Sequence, residues 1–524
     1  AGPWGAAAGF AVGLGKAAKA DSMHIRWPNG KFSSIKDIAA NQRIHITIKE
    51  AVDAPLINTP PLATNNLFTD ITDKLGFSYI HTEKDFIDFN VQKLLPHKLS
   101  SYGPALAAGD VNGDGLDDLV IGGSFPNPTM LMLQQLNGQF IKKDISDTSK
   151  TSFSDDMGLC LFDADLDGDL DLYIAGGGVE FENGSPAYAD RLWVNDGKGN
   201  FNLSEDALPG NFTSKSCAKA ADYDNDGDLD LFVGGRVMPQ RYPLAESGYL
   251  LRNDSQKDQL RFTNVTAFDA PELKDIGMIC DALWSDYDND GDADLLIAGE
   301  WMSLLIYQNE KGVLKKIKTG LENQTGWWNS IAAADIDNDG DMDYVLGNYG
   351  KNGFFKASME RPVGIYAADF DETGSLDAVF SNYIPTKMHG QEWKDYPANN
   401  REDMIKEMTF MKSRFTDHKQ YAAATIDQLL TAEERKKALI KKATQFNTCW
   451  VENKGKDGFV LHTLPAMAQW SPVYGICTDD YNGDGNVDIL LNGNEFSMTA
   501  ILGRHDAMNG LLLLGNGKGD FAPQ

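Results

Sequence analysis

The chain has 524 residues, 42% of them hydrophobic, and a formal charge of −29 at pH 7. That length accommodates two or three ordinary domains or one large repeat architecture, and the acidic balance excludes a nucleic-acid partner, whose phosphates need a basic footprint. No stretch of 18 uninterrupted apolar residues is present, so no transmembrane segment is expected.

Residue 1 does not read as a natural start, and the chain stops in mid-pattern just after Phe521, so a fragment or a processed product is expected. Residues 1–52 form a first module, in which His24 to Gly30 and Arg43 to Ile48 alternate like two strands of a small β unit. A Pro-rich polar stretch, 53–66, reads as a linker.

From residue 67 onward one phrase recurs seven times: Asp-x-Asp/Asn-x-Asp-Gly-x-x-Asp running into an apolar, strand-like stretch. The acidic and amide positions are Asp110, Asn112, Asp114 and Asp118; Asp163, Asp165, Asp167 and Asp171; Asp222, Asp224, Asp226 and Asp230; and Asp286, Asp288, Asp290 and Asp294. They continue with Asp335, Asp337, Asp339 and Asp343; Asp369, Asp371 and Asp377; and Asp480, Asn482, Asp484 and Asp488. Alternate carboxylates on a tight turn point at one centre, a glycine at position 6 permits the reversal, and the acid at position 9 closes the cage. Such an all-oxygen site suits a hard cation, best Ca²⁺ at roughly 2.3–2.6 Å, with up to seven ions expected. The sixth loop, with Thr373 in place of the third carboxylate, is expected to bind most weakly. An EF-hand is excluded, because position 12, its bidentate Glu, is here Ile121, Ile174, Val233, Ile297, Leu346, Phe380 and Leu491. Acidic Asp-Gly hairpin turns without a metal are the competing reading, and seven copies in register weigh against it.

Loop spacings of 53, 59, 64, 49, 34 and 111 residues, with strand-rich content, point to propeller blades. Each unit has a small-residue strand entering the loop (Ile331 to Ala334), a second strand leaving it (Tyr344 to Leu346), and a hairpin that ends in Asn, Gly and an aromatic residue, as from Asn195 to Phe201. Seven loops imply an all-β, seven-bladed β-propeller over 67–524. The long last gap holds a helical insertion at 384–448, with amphipathic helices over Arg401–Phe415 and Ala432–Phe446, the second opened by a Thr431/Glu434 capping box. Its Arg435, Lys436, Lys437, Lys441 and Lys442 form a basic run that reads as a solvated face or as a docking surface for an acidic partner. Cys160, Cys217, Cys280 and Cys477 each lie in a strand leading into a loop and read as buried thiols.

With calcium hairpins on one face of a propeller, the opposite face is built by the loops entering each innermost strand and those following each second strand. Those positions include Tyr102, Asp155, Asp156, Lys215 and Glu180, and the candidates for ligand contact among them are Arg236, Arg241, Tyr242, Glu300, Trp301, Trp327, Trp328, Asn329, Asn348, Tyr349, Trp470, Tyr474 and Glu495. Aromatic faces and polar edges mixed in this way suit a glycan or a peptide; the alternative is that the tryptophans plug blade seams.

In loop, flanking strands and copy number, residues 67–524 resemble the FG-GAP/VCBS repeat proteins, whose seven-bladed propeller heads the integrin α subunits. Val12-Gly13-Leu14-Gly15, Trp27-Pro28-Asn29-Gly30 and Asn41-Gln42 resemble the end of an ASPIC/UnbV module. That order is similar to large bacterial surface proteins of the cartilage-acidic-protein-like family. The resemblance implies an extracellular, calcium-stabilised binding protein on the outer membrane of a Gram-negative bacterium, or secreted, often associated with import machinery, and implies no established reaction. Recognition of a surface glycan or protein, in part as a subunit of an outer-membrane complex, is therefore the expectation. The alternative is a polysaccharide lyase using Tyr242 beside Arg236 and Arg241.

Overall fold

The computed structural model describes residues 17–26, 31–42, 44, 46–53, 67–145, 155–256, 259–386 and 392–524. It divides into two units, Ala1–Asp70 and Ile71–Gln524. In the smaller unit Lys19–Arg26 pairs antiparallel with Lys31–Ala39, which also pairs with Val52–Asp53. The second strand is thus Lys31–Ala39 and not Arg43 to Ile48; within the latter stretch residues 44, 46 and 47 are irregular and a 3₁₀ turn spans Ile48–Glu50. The motifs Val12 to Gly15 and Trp27 to Gly30 lie outside the described residues.

The larger unit is all-β with short helices, and seven antiparallel sheets among the described residues, six of four strands and one of five, carry the seven acidic loops. In every sheet the loop joins a first strand to a second, as between Leu106–Gly109 and Asp118–Ile121. Six sheets follow one another as blades, with inner strands Leu106–Gly109, Asp155–Phe162, Lys215–Ala221, Met278–Ser285, Ser330–Ala334 and Gly475–Asp479. Because side chains alternate across a strand, each blade sends one set of residues to each neighbour, and each seam has its own core. Ile174 meets Val120 between the first two blades, Leu231 meets Phe162 between the next two, and Phe232 meets Leu295 in the third seam. Leu296 meets Tyr344 in the fourth seam, and Val345 meets Ile489 in the fifth. The entry to the first blade meets the sixth through backbone bonds, Lys98 N–H to Ser497 O at 3.0 Å and Thr499 N–H to Pro96 O at 2.8 Å, and through Tyr102 and Tyr474, whose rings lie 6.2 Å apart.

The seventh sheet, which holds the sixth loop, corrects the expectation of seven blades. The second strand of the fifth blade, Asp343–Gly347, pairs with Cys449–Asn453, so everything from 348 to 448 is inserted within that blade. The insertion is therefore longer than 384–448 and is built around a sheet of order Trp393–Pro397, Asp377–Pro385, Val363–Ala368 and Leu439–Ala443. One face of this cap sheet carries Met404, Met408, Met411, Leu429 and Leu430. Its other face, with Val363, Ile365, Phe380 and Phe446, lies against Val179, Val237, Trp301, Trp327 and Met498 from the second, third, fourth and sixth blades. The expected long helices are shorter: Arg401–Glu407 and Met411–Arg414 replace the first, and Ala432–Lys437 replaces the second, whose remainder becomes the cap strand Leu439–Ala443. The Thr431/Glu434 capping box is present. All five thiols are unpaired, and Cys477 is exposed, contrary to the expectation that it is buried.

Candidate metal loops and the covered face

Each loop is first a hydrogen-bonded turn. The position-1 carboxylate accepts backbone N–H bonds from positions 5 and 6, as Asp286 does from Asp290 at 3.0 Å and Gly291 at 2.9 Å. The geometry needs left-handed backbone at positions 4 and 6: Asn289 has φ 57° and Gly291 φ 95°. Asn and Gly tolerate that region, which is why they fill those positions in most copies.

The position-9 aspartate does more than close a cage. Asp294 is fully buried; its Oδ2 accepts from Tyr287 N–H at 3.1 Å and its Oδ1 from Asn309 N–H at 2.7 Å, tying the hairpin to the third strand. The same pair of bonds recurs at Asp171, Asp230 and Asp343. The asparagine continues outward: Nδ2 of Asn195, Asn253, Asn309 and Asn453 donates to the position-2 carbonyl of the preceding blade's loop, at Val111, Ala164, Tyr223 and Tyr287, with distances of 2.6–3.0 Å. The Asn of the sequence pattern is thus a staple between blades. In the sixth blade Gly515 stands at this place and keeps only the backbone bond, to Asp488.

Three carboxylate oxygens lie within 4.8 Å of one another in five loops: Asp163, Asp165 and Asp171; Asp222, Asp224 and Asp230; Asp286, Asp288 and Asp290; Asp335, Asp337 and Asp339; and Asp369, Asp371 and Asp377. In the first loop the amide at position 3 turns inward, Asn112 Nδ2 donating to Asp118 Oδ2 at 3.2 Å; Asp110, Asp114, Asp480, Asn482, Asp484 and Asp488 otherwise sit in turns of the same build. The donor set fits a hard cation on a specific ground: Asp224 Oδ1 and Asp337 Oδ1, at position 3, are buried without a hydrogen-bond partner. So are Asp169, Asp228 and Asp341 Oδ1, a position-7 acid that the sequence pattern does not single out although four loops carry it. Burial, then the neighbouring loop carboxylates, pushes Asp169, Asp228 and Asp341 up to about 6. Burial likewise raises Asp171, Asp294, Asp343 and Asp377 to about 7 and Asp230 to about 8 against the N–H bonds they accept. A cation at the centre would supply the missing counter-charge.

The proposed ligand face is assembled, but as a covered interface. Arg236, Tyr242, Glu300, Trp301, Trp327, Trp328, Asn348, Tyr349 and Glu495 are all buried. Trp301 and Tyr242 lie 5.8 and 6.1 Å from the Phe380 ring of the cap, and Trp327 and Tyr349 each lie 5.0 Å from Phe446. Asn329 and Tyr474 are half-buried, while Arg241 and Trp470 are exposed. Beneath the cap, Arg236 pairs with Glu300 at 3.0 Å, Tyr242 Oη donates to Glu300 at 2.5 Å, and Tyr474 Oη donates to Glu495 at 2.7 Å. The cavity among Tyr102, Glu300, Trp327 and Tyr474 measures about 10 Å³, room for about one water and not for a sugar ring. Of the residues drawn for a lyase, Tyr242 and Arg236 meet on Glu300, Tyr242 Oη donating a hydrogen bond to it, whereas Arg241 is exposed.

A sequence model of the FG-GAP-like repeat matches residues 110–174, 179–233 and 286–346, and one of ASPIC and UnbV matches 7–53. The chain thus carries FG-GAP-like repeats in its larger unit and an ASPIC and UnbV module in its smaller one. No curated protein matches it. Among solved structures, an Agrocybe aegerita lectin that recognises non-reducing terminal N-acetylglucosamine is 14% identical, with a TM-score of 0.42 over 80% of this chain and 78% of that one. The exotype rhamnogalacturonan lyase YesX is 13% identical with a TM-score of 0.30, over 58% of each chain. The biofilm matrix protein Bap1 of V. cholerae is 11% identical with a TM-score of 0.25, over 82% and 80%. Similarity at this level carries no argument about what the chain binds.

Proposed function

We propose that this is a calcium-stabilised interaction protein of the bacterial cell surface, working as a subunit of an outer-membrane complex, in which the metal loops hold the scaffold and exposed surface recognises a glycan or a protein. The observation that carries the metal reading is the buried, unpartnered carboxylate oxygen repeated in several loops. Placement at the cell surface rests on the resemblance to bacterial surface proteins. The covered face redirects recognition to what remains open around it: Trp470, 45% exposed; Phe496, 59% exposed, with Arg504 5.9 Å above its ring; and Trp393, with Arg361 at 4.3 Å. Aromatic rings paired with arginines suit a stacking, hydrogen-bonding ligand.

A glycan array probed with the wild-type protein and a Trp470→Ala, Phe496→Ala variant tests this. Binding that the variant loses supports glycan recognition, and silence with co-purification of membrane proteins supports the protein partner. Silence in both assays would sink the proposal, and turnover of a polysaccharide would restore the lyase reading.

A further inference from the structure

We propose that Asp155 and Glu180, beneath the cap on the second blade, bind a divalent cation at a site separate from the seven hairpin loops and on the opposite end of the strands. Asp155 opens the inner strand and pairs with Gly177 at the end of the second, placing Glu180 just beyond the same end. Asp155 is only 9% exposed, and its Oδ2 is wholly buried with no donor from any other group; only the Glu180 carboxyl lies within hydrogen-bonding reach of it. Glu180 Oε2 accepts from Val179 N–H at 2.8 Å. A Cβ placed on Gly178, whose φ is +92°, would lie 2.4 Å from Glu180 Oε2 and 2.8 Å from Asp155 Oδ2. The two oxygens therefore converge beside a residue that has no room for a side chain.

The neighbouring charges leave this pair without a counter-ion. Asp156 is held by Arg191, by Gly123 N–H at 2.7 Å and by Thr129 Oγ1 at 2.6 Å. Asp88 accepts from the N–H groups of Leu99 and Ser100 and from Ser100 Oγ. Glu83 bonds His81 at 2.9 Å and adds further negative charge near Asp155. Among the described residues no lysine or arginine pairs with Asp155 or Glu180. Two carboxylates buried together repel unless a proton or a cation stands between them, and oxygen donors alone select a hard ion such as Ca²⁺. Bound there, the ion would join the loop entering the inner strand to the loop leaving the second.

The test is the number of calcium ions retained per chain at saturating free Ca²⁺, by equilibrium dialysis, for wild type, Asp155→Asn/Glu180→Gln and Gly178→Ala. Both variants are expected to retain one ion fewer, and the double variant, relieved of repulsion, to melt no lower than wild type in chelator. An unchanged count in a folded variant would overturn the site and leave a proton-sharing carboxyl pair. If neither variant folds, anomalous density between the two oxygens in calcium-soaked wild-type crystals decides, its absence overturning the site. Failure of the loops to bind calcium would show differently, as a count of one falling to zero.

Discussion

The position-9 aspartate and the third-strand asparagine show how one residue type serves two purposes. The sequence pattern marks Asp294 as a metal ligand, yet both of its oxygens are already engaged by backbone N–H groups, so its first duty is to fasten the third strand. Asn309, which no sequence pattern singled out, donates to Tyr223 O at 2.6 Å and Ala293 O at 3.0 Å. Asn309→Ala leaves two buried carbonyls unpaired and is expected to cost about 2–4 kcal/mol with or without calcium; equal urea midpoints for variant and wild type would show that the staple contributes nothing. Asp290→Ala separates the metal contribution, because Asp290 Oδ1 accepts one loop bond, from Asp292 N–H at 2.9 Å, in addition to facing Asp286 and Asp288. Its melting temperature is expected to fall well below wild type in calcium and to differ little in chelator; the same gap in both conditions would make the loss one of turn structure. These roles escape the sequence because period and spacing identify the loop but not which strand its oxygens face.

At the scale of elements, the sixth loop is the instructive failure. Asp369 to Asp377 and its flanking strands have the blade pattern, so counting loops counts a seventh blade. What differs is pairing across a hundred residues, Leu346 with Cys449 and Val363 with Ala443, and nothing in the local pattern fixes that. Leu439–Ala443 likewise reads as the end of a helix because its apolar and basic residues suit both periods, and pairing with Val363–Ala367 decides for a strand. The tryptophans of the expected ligand face pack as seam and interface residues for the same reason: the sheet that covers them lies far along the chain. Phe380, against Tyr242, Trp301 and Phe355, should anchor the cap. Phe380→Ala is expected to destabilise by about 3–5 kcal/mol and to expose 348–448 to limited proteolysis first; a protease pattern identical to wild type would contradict a cap held by this core. Asp395 in the cap is pushed up to about 6, first by burial and then by Asp427, although Ser381 Oγ donates to it and Lys442 lies near. The folded state therefore favours its protonated form, and stability present below about pH 4 is lost as pH rises through about 6. Asp395→Asn should gain about 1–2 kcal/mol at pH 8 and nothing at pH 4; a variant no more stable than wild type at pH 8 would refute the sign.

For the whole molecule, blades, loops, strand order within each repeat and the small-residue inner strands were legible in the amino-acid sequence, since each is a local pattern repeated in register. The covering of one face, the six-fold succession of blades and the buried carboxylate pair of the second blade were not, because each depends on contacts between separated segments. Charge connects the two levels. A chain of net charge −29 gathers many of its carboxylates into buried clusters, with oxygens in several of them that no donor reaches, and self-repulsion of that kind destabilises a compact state unless cations offset it. Binding of calcium to the folded state alone would stabilise it by mass action, in proportion to the number of equivalent sites and with the logarithm of the free concentration. The most direct test is the metal content of the purified protein together with its melting temperature in calcium and in EGTA. Several calcium ions per chain and a large fall in melting temperature on chelation are the predicted result. No bound calcium and an unchanged melting temperature would mean that the loops are hydrogen-bonded acidic turns and that the scaffold stands without metal.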